Sequence, residues 1–207
     1  MGNNQNNGIY ASNDLNILIN QNQSLLSDLS NTSIFAENSF QYEGDVYNNK
    51  ANGKGCFMTP NYTYTGTWLD GKPNGQGKII FKNGTAYEGT ILKGQPHGQG
   101  RLLRGNGFNY QGAFQNGLFH GIGTATWATG NSYHGEFQHG YFHGQGEFTW
   151  SDGRVFKGNY HLGKKNGNGV VYFPDGSEFQ AKWKYGKVEG PGDYFKNGVF
   201  IKQLKID

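Results

Sequence analysis

A single cysteine, Cys56, is all the thiol this 207-residue chain contains. It cannot form an internal disulfide, which excludes a disulfide framework and fits a reducing compartment. Proline is scarce, at 5 residues, so collagen and Pro-rich linkers are excluded. No apolar run approaches the roughly 20 residues needed to cross a bilayer. No basic stretch followed by an apolar one opens the chain, so no secretory signal is expected. Met1-Gly2 raises N-myristoylation, but that motif wants Ser or Thr at the sixth position, where Asn6 stands. Acidic residues are few and scattered, and no Gly-x-Ser-x-Gly elbow is present. The chain is therefore not expected to be an enzyme.

Glycine and aromatic rings are abundant instead. There are 35 Gly, with 13 Tyr, 15 Phe and 4 Trp. Glycine beside aromatics, with few aliphatics, points to many short strands and tight turns. The net charge of +3 is unevenly spread. Residues 1–41 hold no Lys or Arg and three acids, Asp14, Asp28 and Glu37. Residues 154–207 hold ten basic and five acidic groups. That C-terminal third could face an acidic partner or an anionic membrane, or could simply be a solvated Lys-rich surface.

Internal repetition organises the chain. Tyr42-Glu-Gly44-Asp-Val46 is followed by Gly53-Lys-Gly55. The pattern restarts at Tyr64, Tyr87, Tyr110, Tyr133, Phe156 and Phe179, first after 22 residues and then every 23. The third position of each unit is glycine in six copies and Ala181 in the last. The fifth is always large and apolar: Val46, Trp68, Ile91, Phe114, Phe137, Tyr160 and Trp183. A Gly-x-Gly follows in every unit.

Positions one, three and five alternate, so they share one face of a strand. The residues after Gly-x-Gly alternate in the same way. Each unit therefore reads as two short strands with one inward face, on which glycine alternates with rings. The glycines leave room for rings to lie across the backbone. Asn83-Gly84, Asp152-Gly153 and Asp175-Gly176 mark turns between units. Asn49, Gly71, Gly94, Gly117, Gly140, Gly163 and Gly186 mark turns inside them. The expected fold class is all-β: an elongated, twisted antiparallel sheet of fourteen strands in tandem hairpins, solenoid-like, with a short N-terminal helix.

The pattern Y-x-G-x-(F/W)…G…G-x-G at this period resembles the MORN repeat (membrane occupation and recognition nexus), in seven tandem copies over residues 42–201. What the resemblance implies is a non-catalytic platform for protein–protein interaction. Relatives of this kind serve in ciliary radial spokes and at membrane–cytoskeleton junctions, which implies a cytoplasmic setting in a cilium, axoneme or other cytoskeletal assembly.

The ends differ from the array. Residues 1–13 are rich in Asn and Gln and are expected to be disordered. Leu15, Leu18, Ile19, Leu25, Leu26 and Leu29 follow helical spacing, with Asp14 as N-cap. Residues 14–41 thus read as an amphipathic helix and capping segment, which either covers the first repeat or docks a partner. Ser33-Ile34-Phe35 offers an edge strand. Pro191, inside the last Gly-x-Gly, marks an edge or near-edge strand. Val199-Phe200-Ile201 offers a final strand, and 202–207 a tail.

Candidate chemistry is thin. His97, His120 and His143 recur at one position, but equivalent positions in adjacent hairpins lie about 10 Å apart and cannot share a metal. Gly-x-Gly inside strands is no nucleotide loop, which needs a βαβ turn. Aromatics with glycines are also found in single-strand nucleic-acid binders, but here the rings repeat at inward positions. No cofactor, metal, nucleic acid or small-molecule substrate is expected. For protein binding, the apolar tips Leu118-Phe119 and Tyr141-Phe142 are candidates, with Leu18 and Leu25 of the helix. Either those rings form an exposed patch or they fold under their own loop into the core. The alternative partner is anionic phospholipid, through Lys157, Lys164, Lys165, Lys182, Lys184 and Lys187.

Overall fold

The computed structural model describes residues 40–205. The disordered tail expected at 1–13, the helix expected at 14–29 and the strand expected at Ser33-Ile34-Phe35 lie outside these residues. The described chain is all-β, with sixteen strands. It falls into two compact units divided between Leu118 and Phe119.

The first unit carries β1 (Gln41–Tyr47), β2 (Lys50–Met58), β3 (Tyr62–Leu69), β4 (Lys72–Phe81), β5 (Ala86–Leu92), β6 (Gln95–Leu103) and β7 (Asn109–Gln115). Each strand pairs antiparallel with the next. The second carries β8 (Leu118–Thr126), β9 (Ser132–Gln138), β10 (Tyr141–Thr149), β11 (Val155–His161), β12 (Lys164–Tyr172), β13 (Ser177–Lys184), β14 (Lys187–Val188), β15 (Pro191–Lys196) and β16 (Val199–Lys205). Pairing again follows sequence order up to β13. There β13 meets both the two-residue β14 and β15, and β15 pairs β16. The expected fourteen strands become sixteen because Pro191 and the preceding Gly190 split one strand in two, and because a further strand, Val199–Lys205, follows the seventh hairpin.

Register explains the glycines. In the first unit Gly44, Gly55, Gly66, Gly77, Gly89, Gly100 and Gly112 stand opposite one another in one continuous row. The second unit repeats this with Gly123, Gly135, Gly146, Gly158 and Gly169, ending on Ala181. Rings from position one lie across that row. Their hydroxyls donate to the carbonyl three residues on: Tyr42 to Asp45, Tyr64 to Thr67, Tyr87 to Thr90, Tyr110 to Ala113 and Tyr133 to Glu136, at 2.6–2.9 Å. A buried phenol thereby keeps a hydrogen-bond partner, as a desolvated hydroxyl must.

The fifth-position ring then packs edge-on against two first-position rings. Trp68 meets Tyr42 at 5.4 Å and Tyr64 at 5.0 Å, and Phe114 meets Tyr87 and Tyr110 at 5.1 Å. In the second unit Tyr160 meets Tyr133 and Phe156 at 5.4 Å. Edge-to-face contact is the favoured geometry for such rings. Within each unit the core is therefore a ladder of interlocked aromatics along one face of the sheet. The sequence pattern does not reveal a slip in pairing between positions three and five, as at Gly66/Trp68. Such a bulge adds a residue on one strand and sharpens local twist.

Turns inside the repeats have positive φ at two consecutive residues, for example Asp70 (49°) with Gly71 (76°) and Lys93 (51°) with Gly94 (83°). That is the type I′ hairpin, which matches strand twist. The turn glycine also donates its N–H to a carbonyl in the preceding repeat: Gly71 to Ala51, Gly94 to Pro73, Gly140 to Phe119 and Gly163 to Phe142, at 2.8–2.9 Å. These bonds pin each hairpin to the one before it.

Candidate functional site

Alternation sends position six of each unit to the outer face, away from the rings. In the first three repeats that position is Tyr47, Leu69 and Leu92, which are 68%, 53% and 43% exposed. They end β1, β3 and β5, so neighbours stand two strands, about 10 Å, apart. Across the ladder Lys50 pairs with Tyr47 and Lys72 with Leu69. Lys93 follows Leu92 in the turn and is exposed. The result is an apolar row bordered by three ammonium groups and, in the turn after Leu69, by the exposed Asp70 carboxylate, all in the first unit. In later repeats position six is polar: Gln115, Gln138, His161 and Lys184. The row carries no signal at the turn tips, where the sequence is most apolar. Its signal is parity alone, an apolar residue at an even position of the repeat.

The tips themselves lie elsewhere. Phe119 is fully buried, 5.8 Å from the Phe137 ring. Phe142 is half-buried and stacks face to face on Tyr133, with centroids 3.7 Å apart and planes 12° off parallel. These two rings belong to the core: Phe119 packs on Phe137 of the next repeat, and Phe142 lies on Tyr133, the first-position ring of its own repeat. Leu118 and Tyr141 are half-buried on the opposite side of their strands. The structure therefore does not bring Leu118, Phe119, Tyr141 and Phe142 together as an exposed patch. Leu18 and Leu25 lie outside the described residues.

The six lysines divide as well. Lys157 pairs with Glu147 at 2.8 Å, and Glu147 raises its pKa. Lys182 and Lys184 converge on Glu189 at 3.1 and 3.3 Å and lower the pKa of that carboxyl. Lys164 and Lys187 are exposed. Lys165 is not a surface lysine. Its ammonium lies 4.3 Å from the centroid of Phe156 and 4.6 Å from those of Trp150 and Trp183. It occupies the position that Phe142 fills one repeat earlier. Burial lowers its pKa to about 8, with a smaller contribution from the Arg154 charge. As lipid contacts, Lys157 is paired with its own carboxylate, Lys182 and Lys184 share one, and Lys165 lies half-buried among rings.

The recurring histidines meet histidines of a different kind. His120 lies 5.8 Å from His139, and His143 lies 5.3 Å from His161, centroid to centroid. Among the described residues, no three metal-ligating side chains come together. No described helix is long and apolar enough to cross a membrane.

Comparison with solved structures returns the TCP domain of SAS-4 (dCPAP) of Drosophila melanogaster in complex with a proline-rich motif of Ana2 (dSTIL). It is 11% identical, with 75% of this chain and 87% of that chain covered and a TM-score of 0.47. It also returns the wild-type TCP10 domain of Danio rerio CPAP in complex with a peptide of Danio rerio STIL. There the identity is 16%, the coverage 83% of this chain and 71% of that chain, and the TM-score 0.43. Likeness at this level carries nothing about partners. The search of curated proteins gives no significant match. The MORN repeat profile, in contrast, matches residues 42–63, 64–86, 87–108, 110–132, 133–153 and 156–178. The altered hairpin from Phe179 onward, where Ala181 ends the glycine row, follows those six. With more than half of its length matched and with the glycine row and tyrosine ladder behind the match, this chain belongs to the MORN repeat family.

Proposed function

We propose that this chain is a non-catalytic adaptor whose MORN-repeat sheet holds protein partners on its outer face. The observation that carries this reading is the row Tyr47, Leu69 and Leu92, exposed side by side and bordered by Lys50, Lys72 and Lys93. Three large apolar side chains at one repeat position, with Ile80 and Leu103 also exposed in the same unit, make an apolar surface of the kind that docks a partner. Their spacing of about 10 Å is also the rise between residues i and i+7 of an α-helix, at about 1.5 Å each. An amphipathic helix with apolar residues at i, i+7 and i+14 and acidic flanks fits both the spacing and the charge.

The family resemblance points to a ciliary or cytoskeletal assembly as the place where such a partner is found. An anionic lipid surface is the weaker reading, since it is left with Lys164 and Lys187 as its free contacts among the six lysines proposed.

The test is affinity capture from the native source with the wild type and with Leu69→Glu/Leu92→Glu. The variant is first shown by circular dichroism to keep its β-structure. The expected result is loss of co-eluting chains and of binding to a synthetic acidic helix carrying leucines at the stated spacing. Equal capture by both proteins, and equal peptide affinity, would overturn the reading. Flotation with phosphatidylserine vesicles at low salt tests the lipid alternative directly.

A further inference from the structure

Lys165 stands in a column of the sheet that is otherwise apolar. The equivalent residues are Ala51, Pro73, Pro96, Phe119, Phe142 and Val188. Here an ammonium replaces a hydrocarbon or a ring. It lies over Phe156 at 4.3 Å and over Trp150 and Trp183 at 4.6 Å. Lys157, Lys182, Lys184 and Lys196 each pair with a carboxylate within 3.3 Å. Among the described residues, no carboxylate lies within ion-pair distance of Lys165. A charge of the same sign shares one of these rings: the Arg154 guanidinium, paired with Asp152 at 2.8 Å, also lies over Trp150, at 5.1 Å. The rings attract the cation. They replace its water only in part, and the like charge opposes it.

We propose that the Lys165 side-chain amine is an acylation site, taking acyl groups from thioester-class donors, and that the pocket of Trp150, Phe156 and Trp183 sets it apart from the other lysines. A desolvated ammonium without a counter-ion gives up its proton readily, and the neutral amine is the nucleophile. Its lowered pKa of about 8 agrees. Roughly a fifth of such amines are unprotonated at pH 7.4, against about one in a thousand for an ordinary lysine. Lys165 is half-buried rather than sealed. In the reaction the amine lone pair attacks the thioester carbonyl. A C–N bond forms and the C–S bond breaks. The thiolate leaves with the electron pair, and the proton shed by nitrogen goes to it or to solvent. The product is a neutral amide, which no longer gives the rings a cation. Because Gly186 donates to the Lys165 carbonyl at 2.9 Å, the modified residue sits where the next hairpin is pinned.

The experiment treats the folded full chain with acetyl-coenzyme A and reads acetylation at each lysine by mass spectrometry from pH 7 to 9.5. At pH 7.5 Lys165 is expected to react at least about fivefold faster than Lys164 and Lys187, since half-burial and the weaker nucleophilicity of a less basic amine offset part of its roughly 200-fold gain in free amine. Its rate should level off near about pH 8.5 while theirs keep rising. A Lys165 rate at or below those two, or one rising in parallel with them, overturns the proposal. Trp183→Leu, checked for native circular dichroism, opens one wall of the pocket to water. The Lys165 rate should then fall toward its neighbours. A rise would mean that access, not desolvation, governs the site, and would equally overturn it.

Discussion

The ring of Tyr87 lies across Gly100 on the paired strand so closely that a β-carbon on Gly100 would stand 2.7 Å from ring atom Cε2 and 2.6 Å from the hydroxyl. The hydroxyl is itself committed to the Thr90 carbonyl at 2.6 Å, so the ring cannot swing aside without losing that bond. Gly100→Ala should therefore cost roughly 1–3 kcal/mol through overpacking. Gln99→Ala, at the exposed neighbour, should stay within about 0.5 kcal/mol. Urea unfolding of both variants makes the comparison. Equal midpoints would mean that the ring moves freely.

Alkaline conditions should unfold the protein through its tyrosines. Burial raises the pKa of Tyr42 to about 12, and those of Tyr64, Tyr87, Tyr133 and Tyr160 higher still. Below pH 10 both folded and unfolded chains hold these protons. Above it the unfolded chain releases them first, so stability is lost as pH rises from 10 through 12 and beyond. Urea midpoints at pH 9.5, 10.5 and 11.5 should fall in sequence, and tyrosinate absorbance should appear together with unfolding.

Lys165 works in the opposite sense. Its folded pKa, about 8, lies below the ordinary lysine value. Its burial cost is thus present in full below pH 8 and is relieved as pH rises from 8 to about 10.5. Wild-type stability should rise over that window before the tyrosines reverse it. Lys165→Met should remove the rise and stabilise the protein at pH 7 by about 1–3 kcal/mol, since apolar replacements of buried charges commonly do. Stability curves for both proteins from pH 7 to 10 decide the matter, and a less stable methionine variant would contradict it.

Phe119 and Phe142 separate core from surface. Phe119→Ser/Phe142→Ser places two hydroxyls beneath Phe137 and Tyr133 and leaves a void. Truncating a buried phenylalanine to alanine already costs about 3–5 kcal/mol. The double variant should lose its β-sheet circular dichroism at room temperature. Retention of the native spectrum would return these rings to the surface.

Much of this was legible in the residues. The 23-residue period located every hairpin, and parity placed Tyr64, Tyr87, Tyr110 and Tyr133 inward, where they are fully buried. The turn glycines were readable too, since only glycine accepts positive φ at no cost. The residues before them, such as Lys93, Leu162 and Tyr185, share the positive φ without any signal of composition. The candidate tips were harder. Phe119 and Lys165 stand at the same point of the repeat, next to the turn, where strand parity gives way to what the neighbouring hairpin offers.

By itself the sequence determined the hairpin, its period and its inward face, because these depend on alternation over a few residues and on where a β-carbon is absent. Only the tertiary structure decided that Tyr47, Leu69 and Leu92 form a row, that Phe142 lies on Tyr133, and that three rings surround Lys165. Each of those contacts depends on strand register and on side chains drawn from different strands. Packing between strands, and not local pattern, sets which end-of-strand side chains are covered and which are left to water.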